Sequence, residues 1–364
     1  MGRYVKTVQL NRLCRKSGWK SWVLVVMLIC LTLPLAGCNE QQNETYIPGT
    51  VLSETDTSVE IVDMAGRVVT VPRNSESYAF VYRVIARFLI SLDRGQQITG
   101  AGKPEEFLNL VAPGLSDVPS IGQGVVDMEA LAEVNPDVFF HKAGDVKTME
   151  AVEKLGIPSV GLLFETPDDM LTALKIMGIV CNAEDKADAL IDYYHQKIDD
   201  QQARISQLTD GEKKTAIMMG TSIGKVSDKT MLQSNMIVSA GGINPAAEVE
   251  ATELWPTVGV EEIFGWNPDY IFITNSQSAT YTVEDLMSDP AWSAMKAVKN
   301  KHVYIMPAAV DSWEFPGVVS VLGTDYMIKT MYPELMTDTE LVDAVNEFYE
   351  LSYGIRLSKD ELGY

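Results

Sequence analysis

Positive charge is scarce in this sequence. Its 364 residues hold 29 Lys and Arg against 50 Asp and Glu, a formal net charge of −21. Such a field repels a polyanion, so nucleic-acid binding is excluded. Histidine is scarcer still: His141, His195 and His302 are spread along the chain. A bare zinc or manganese site wants several His together with carboxylates, so a transition-metal receptor does not fit. The apolar run Trp22–Ala36 has 15 residues, short of the roughly 20 that span a bilayer. With 46% hydrophobic and 22% charged residues, the chain is neither collagenous nor wholly disordered. Its length suits two domains.

What is present begins with a leader. Residues 1–20 carry six basic residues and no acid, and the apolar run follows. A basic head, an apolar middle and a small-residue end read as an export signal over residues 1–37. The end, Leu35-Ala36-Gly37-Cys38, resembles the bacterial lipobox, in which Cys38 is lipidated and becomes the new N-terminus. Losing the six leader cations takes the formal charge from −21 to −27. Cys181 is then the one free thiol, so no intrachain disulfide is possible, and its apolar neighbours Ile179 and Val180 predict a buried residue. Residues 38–58 are polar without apolar period and read as a flexible tether. The body is thus expected on the outer face of a membrane, held by acylated Cys38.

From Val59 on, apolar runs alternate with amphipathic stretches. Strands are predicted at Tyr78–Val81, Ile98–Ala101, Val138–Phe140, Ser159–Leu163, Thr215–Met219, Tyr270–Thr274 and Val303–Met306. Helices are predicted at Met128–Val134, Val146–Leu155, Pro167–Val180 and Val283–Met287. This alternation implies an α/β fold with parallel sheets. Residues 184–208 form a long amphipathic run without Pro or Gly, read as one helix that divides the body. The expected organisation is an N-terminal lobe (59–182), a linking helix (183–209) and a C-terminal lobe with C-terminal helices (210–364). An internal repeat supports two similar lobes. Residues 128–140 and 260–272 each run from a short helix through Asn-Pro-Asp into a strand, and Glu129 aligns with Glu261. A cleft between such lobes is the usual place for a ligand.

These strings carry a resemblance. The segments 63–72 (Asp63 to Pro72), Pro119-Ser120-Ile121-Gly122, Leu155-Gly156-Ile157-Pro158, Ala240-Gly241-Gly242-Ile243-Asn244 and 297–304, with both Asn-Pro-Asp copies, resemble the periplasmic-binding-protein family that serves ABC importers of ferric siderophores, haem and cobalamin. The resemblance covers about residues 59–335. It implies two Rossmann-like lobes joined by one rigid helix, no catalysis and no cofactor, and delivery of a small-molecule metal chelate to a permease and its ATPase. A monomer is expected. It also implies that Glu129 and Glu261 meet Arg residues of the permease, although a carboxylate in a first helical turn is favoured by the helix dipole in any case. Two departures stand out. Tyr82-Arg83 replaces the small-residue loop usual after the first strand, and Gln123 stands where cobalamin-binding members hold a Trp.

Ligands of open parallel sheets bind beyond the C-terminal strand ends. That rule selects Tyr82, Arg83, Lys103, His141 and Lys142 in the first lobe, with Gln123 near the mouth. In the second lobe it selects Thr221, Ser222 and Asn275, and beyond the last strand the loop Asp311–Pro316 with Trp313 and Glu314. Cations at three strand ends of an acidic body point to an anionic ligand, unless nearby acids pair them. Trp313 is expected to offer an apolar face for a chelate, with Trp255 as a second wall or else packed on its own lobe. A molybdate or tungstate oxyanion is the alternative ligand. A third reading takes Gly220-Thr221-Ser222-Ile223-Gly224 as a serine-hydrolase elbow with His302 as base, but the polar residues after it do not continue as a helix.

Overall fold

The computed structural model describes residues 46–102, 108, 110–250 and 253–362. The leader, Cys38, the tether before Tyr46, and Lys103 lie outside the described residues. Three strands, β1 (Val51–Glu54), β2 (Ser58–Val62) and β3 (Val68–Pro72), form an antiparallel sheet in that order. Strand β1 falls within the segment expected to be a tether. Its side chains are mostly solvent-facing, so its composition is that of a linker, yet its backbone pairs with β2.

The first lobe follows, built on β4 (Tyr78–Phe80) and β5 (Ile98–Ala101), a short ribbon of β6 (Gly122–Gln123) and β7 (Val125–Val126), then β8 (Val138–Lys142) and β9 (Ser159–Leu162). Its parallel sheet has the order β5-β4-β8-β9, with helices α1 (Val84–Ser91), α2 (Met128–Val134), α3 (Val146–Glu153) and α4 (Pro167–Val180). Continuous apolar strands such as Tyr78–Phe80 are buried on both faces, as a parallel sheet requires. The turn between β2 and β3 is tied to this sheet by Asp63, which is fully buried. One of its oxygens accepts the N–H groups of Ala65 and Arg67; the other accepts the Arg67 guanidinium and the Gly161 N–H.

Helix α5 (Glu184–Ile205) has 22 residues and spans about 33 Å. It packs closely on α4, where a Cβ on Gly178 would lie 2.6 Å from the Ala187 Cβ. The second lobe has the parallel sheet β10 (Ala216–Met219), β11 (Tyr270–Ile273) and β12 (Val303–Ile305), with α6 (Leu232–Ser239), α7 (Val260–Trp266), α8 (Val283–Ser288) and α9 (Lys296–Lys299). The two Asn-Pro-Asp copies do the same work in each lobe. Asn135 and Asn267 end α2 and α7 in the left-handed conformation, both at φ 44°. Proline then prevents further helix. Asp137 accepts the N–H groups of Glu76 and Ser77 ahead of β4, and Asp269 accepts the N–H and hydroxyl of Thr215 ahead of β10.

Helices α10 (Ser320–Met331) and α11 (Asp338–Tyr353) follow and pack on each other, with α10 also on α5, and a short α12 (Lys359–Leu362) comes after them. Helix α11 reaches back to α1 of the first lobe, so the C-terminal helices are not confined to the second. One apolar core accordingly runs from the first lobe past α5 into the second.

Where the lobes meet, Arg87 of α1 (4% exposed) forms a salt bridge with Asp311 (0% exposed). Asp311 also takes the Ser312 N–H, and the Tyr353 hydroxyl lies 3.4 Å away. Beside it, Trp313 is fully buried and donates its indole N–H to the Tyr349 hydroxyl. Glu314, also fully buried, accepts from the Thr274 hydroxyl at 2.8 Å, the Asn275 N–H at 2.7 Å and the Ser312 hydroxyl at 3.1 Å. Burial outweighs these bonds and pushes the Glu314 carboxyl up to about 7.

Breaking a buried ion pair from one side is costly. Asp311→Ala should therefore lower unfolding stability by about 3–5 kcal/mol, whereas Arg87→Met with Asp311→Leu should recover most of it; urea unfolding checks both. A second expectation concerns pH. A carboxyl raised in the fold contributes stability that is complete below its unfolded value, near 4.5, and is lost as pH rises through about 7. Stability should fall between about pH 4.5 and 7, and Glu314→Gln should flatten that fall. Asp325, raised to about 6 by burial, would leave a smaller slope in the lower half of the window.

Candidate functional site

A cavity of about 500 Å3 opens between the lobes at the C-terminal ends of their strands. On the first-lobe side it is lined by Val81, Tyr82 and Arg83 beyond β4, Lys142 at the end of β8, Phe164 and Glu165 beyond β9, Gln123 and Gly124 of the β6–β7 ribbon, and Val84 and Arg87 of α1. On the other side stand Met231, Leu232 and Gln233 at the start of α6, Leu254 and Trp255, and Phe315 with Pro316.

The walls are aromatic. The rings of Tyr82 and Phe164 are 5.8 Å apart and tilted by 60°. The Lys142 ammonium lies 5.1 Å from the Tyr82 ring centre, and the Arg87 guanidinium 5.1 Å from that of Phe315. Burial pushes the Tyr82 phenol up, and the nearby Glu165 carboxylate adds to this, so Tyr82 keeps its proton. Arg87 is paired with Asp311, and the exposed residues Arg83 and Lys142 line the cavity together with Glu165. Such a wall can stack on an extended ligand and meet a modest negative charge.

Five sequence-selected residues come together here: Tyr82, Arg83, Gln123, Lys142 and Trp255. Three do not. Trp313 and Glu314 belong to the buried junction, because the loop turns their side chains toward α11 and β11; Phe315 and Pro316, next in the chain, reach the cavity instead. Ser222 is off the wall, in a turn that folds back on β10. His141 is buried beneath Lys142, 3.1 Å from Asp145. Phe164 and Glu165 were overlooked although the strand-end rule, applied to β9, selects them. Arg87 and the α6 residues carried no such signal, since they sit inside or at the head of apolar helices.

The hydrolase arrangement does not assemble. After Ser222 the chain turns at Gly224 and pairs Val226 with Met219, with no helix in between. His302 stands before β12, stacked 4.3 Å from Tyr270, at the opposite end of the sheet from Ser222. Ser222 and His302 therefore do not form a nucleophile–base pair. Among the described residues no three His, Cys, Asp or Glu side chains are placed to hold a metal ion, and no helix is long and apolar enough to cross a membrane.

Glu129 and Glu261 occupy equivalent exposed positions in the first turns of α2 and α7. The side chain of Asp127 caps α2, while α7 begins after Gly259 without a side-chain cap.

Comparison with known proteins agrees with this architecture. The chain is similar to the molybdate-binding protein MolA of Haemophilus influenzae, 22% identical over 80% of this chain and 90% of that protein. It is also similar to the iron-uptake system-binding protein of Bacillus subtilis, 22% identical over 78% of this chain and 89% of that one. A solved periplasmic solute binding protein from Veillonella parvula superposes with a TM-score of 0.72 at 24% identity, covering 83% of this chain and 94% of the other. The family described as periplasmic binding protein matches residues 102–310, more than half the sequence. With that match and the two-lobe fold both in hand, the chain belongs to the periplasmic binding protein family.

Proposed function

We propose that this protein is the substrate-binding component of an ABC importer, lipid-anchored through Cys38 on the outer face of the membrane, and that its cleft captures an iron chelate. The observation that carries the reading is the cavity: about 500 Å3, walled by Tyr82, Phe164, Trp255 and Phe315, with Arg83 and Lys142 as its exposed cations. A chelate is large, often aromatic and often anionic, so it gains from both the faces and the charges. Relatives described as iron-uptake and Fe(3+)-citrate binding proteins support this class. A second reading, a molybdate-type oxyanion, is favoured by the likeness to MolA. Such an ion displaces only a few waters of about 30 Å3 each and would leave most of the cavity wet.

Titration against ferric siderophores, ferric citrate, haem, cobalamin, molybdate and tungstate, followed by Trp fluorescence, separates the two. For a chelate, Trp255→Ala should weaken binding by about 1–3 kcal/mol. Arg83→Ala should weaken it in a salt-dependent way. Binding of oxyanions alone, with Trp255→Ala without effect, overturns the chelate reading in favour of the second.

Permease docking is proposed for Glu129 and Glu261, on the strength of their equivalent exposed positions on the two lobes. In cells, where the protein should sediment with membranes and Cys38→Ser should not, Glu129→Ala with Glu261→Ala should abolish uptake while ligand affinity stays unchanged. Uptake that survives the double change removes the docking role.

A further inference from the structure

The Gly220–Gly224 turn has no part in the function argued above, yet its geometry is specific. The chain leaves β10, turns at Gly224 (φ 90°) and returns alongside, with the Gly220 N–H donating to the Lys225 carbonyl at 2.9 Å. The returning segment pairs in turn with residues 256–258: the Val226 N–H donates to the Pro256 carbonyl and the Val258 N–H to the Gly224 carbonyl. Trp255 heads that segment, and its indole lies on Gly220. A Cβ built on Gly220 would stand 2.8 Å from Trp255 Cε3, closer than real Cβ contacts come, and 3.1 Å from Cδ2.

The backbone of Trp255 is itself unusual. Its φ is +60°, in the left-handed region that bulky residues rarely adopt, and the following Pro256 restricts it further. Such a conformation persists only where the surroundings hold it. Here the Pro256 carbonyl is held by Val226, and Glu253 is held by Lys225 at 2.8 Å and by Thr257 at 3.0 Å. The Val226 and Lys225 contacts run between the glycine turn and the Trp255 segment, and the Thr257 bond lies within that segment.

We infer that Gly220 is a positioning residue: its bare Cα seats the Trp255 indole as a fixed wall of the cleft, and the site thereby selects ligands with an extended apolar face over small oxyanions. The inference rests on the chelate reading of the cavity, and its test separates the two. In Gly220→Ala the added methyl unseats the ring. The double variant Gly220→Ala with Trp255→Phe, whose smaller ring clears the methyl, should regain part of the loss.

One readout needs no ligand. Subtracting the fluorescence of Trp255→Phe from wild type, and of the double variant from Gly220→Ala, isolates Trp255 in each background. The Trp255 signal should be more strongly quenched by acrylamide, and red-shifted, in Gly220→Ala; an unchanged signal overturns the seat. The second readout is affinity for ferric citrate, a ferric hydroxamate and molybdate. Gly220→Ala should weaken whichever chelate binds by about tenfold and leave molybdate unaffected. An equal loss for chelate and molybdate overturns the selectivity. Trp255→Leu leaves Gly220 intact and should lose the same selectivity, so the outcome does not hang on how well Gly220→Ala folds. If wild type binds no chelate, the chelate reading and the selectivity fall together, and the quenching result judges the seat alone.

Discussion

The buried pair between Arg87 and Asp311 is the constraint around which the cleft is arranged. It joins α1 of the first lobe to the loop leading out of the second-lobe sheet, at a point where neither partner reaches bulk water. Two desolvated charges are stable only in close geometry with further bonds, so their meeting fixes the distance between the elements that carry them. The surroundings supply such bonds: Ser312 and Tyr353 on Asp311, and Phe315 against the guanidinium. Trp313 and Glu314 then anchor the same loop to α11 and to the end of β11. Phe315 reaches the cavity because its two predecessors are held in the core.

This junction and helix α5 act on the lobes from different sides. A single helix between two lobes resists extension but would still allow them to turn about its ends. The Asp311–Pro316 loop adds a second tie, and α11, packed on both α1 and α10, adds a third. The continuous core running through all of them is that of one body, in which hinge motion on the scale of whole domains would have to break buried contacts. A cleft so braced is expected to bind by preformed shape.

Much of this was legible in the sequence. The strands from Tyr78 to Val303 and the helices Met128–Val134 and Pro167–Val180 are present with ends moved by at most one or two residues, because apolar runs bounded by Pro, Gly and Asn leave few alternatives. The repeat was legible as a pattern; the structure supplies its reason in the helix-ending Asn and the strand-tying Asp. Strand β1 was not legible, since an edge strand with exposed side chains has the composition of a linker. Nor was the choice between Trp313 and Phe315. Which aromatic of a loop points inward depends on the buried partners awaiting it, here Tyr349 and the Arg87–Asp311 pair, and these come from segments far away in sequence.

The charge arrangement bears on the ligand class. The chain as a whole is strongly acidic, so an anion approaching it meets a repulsive field over most of its surface. At the cleft, Asp311 takes the Arg87 charge, and the wall offers Arg83 and Lys142 against Glu165. A compact dianion concentrates its charge and wants a ring of donors close around it. Two cations at the rim of a 500 Å3 space, with one carboxylate beside them, make a poor ring of that kind. They would better suit the proposed ligand, whose charge is spread over many atoms and which would bury apolar surface against Tyr82, Phe164, Trp255 and Phe315. On the reading proposed above, the aromatic walls would set the affinity, and the cations would set the sign of charge that is allowed in.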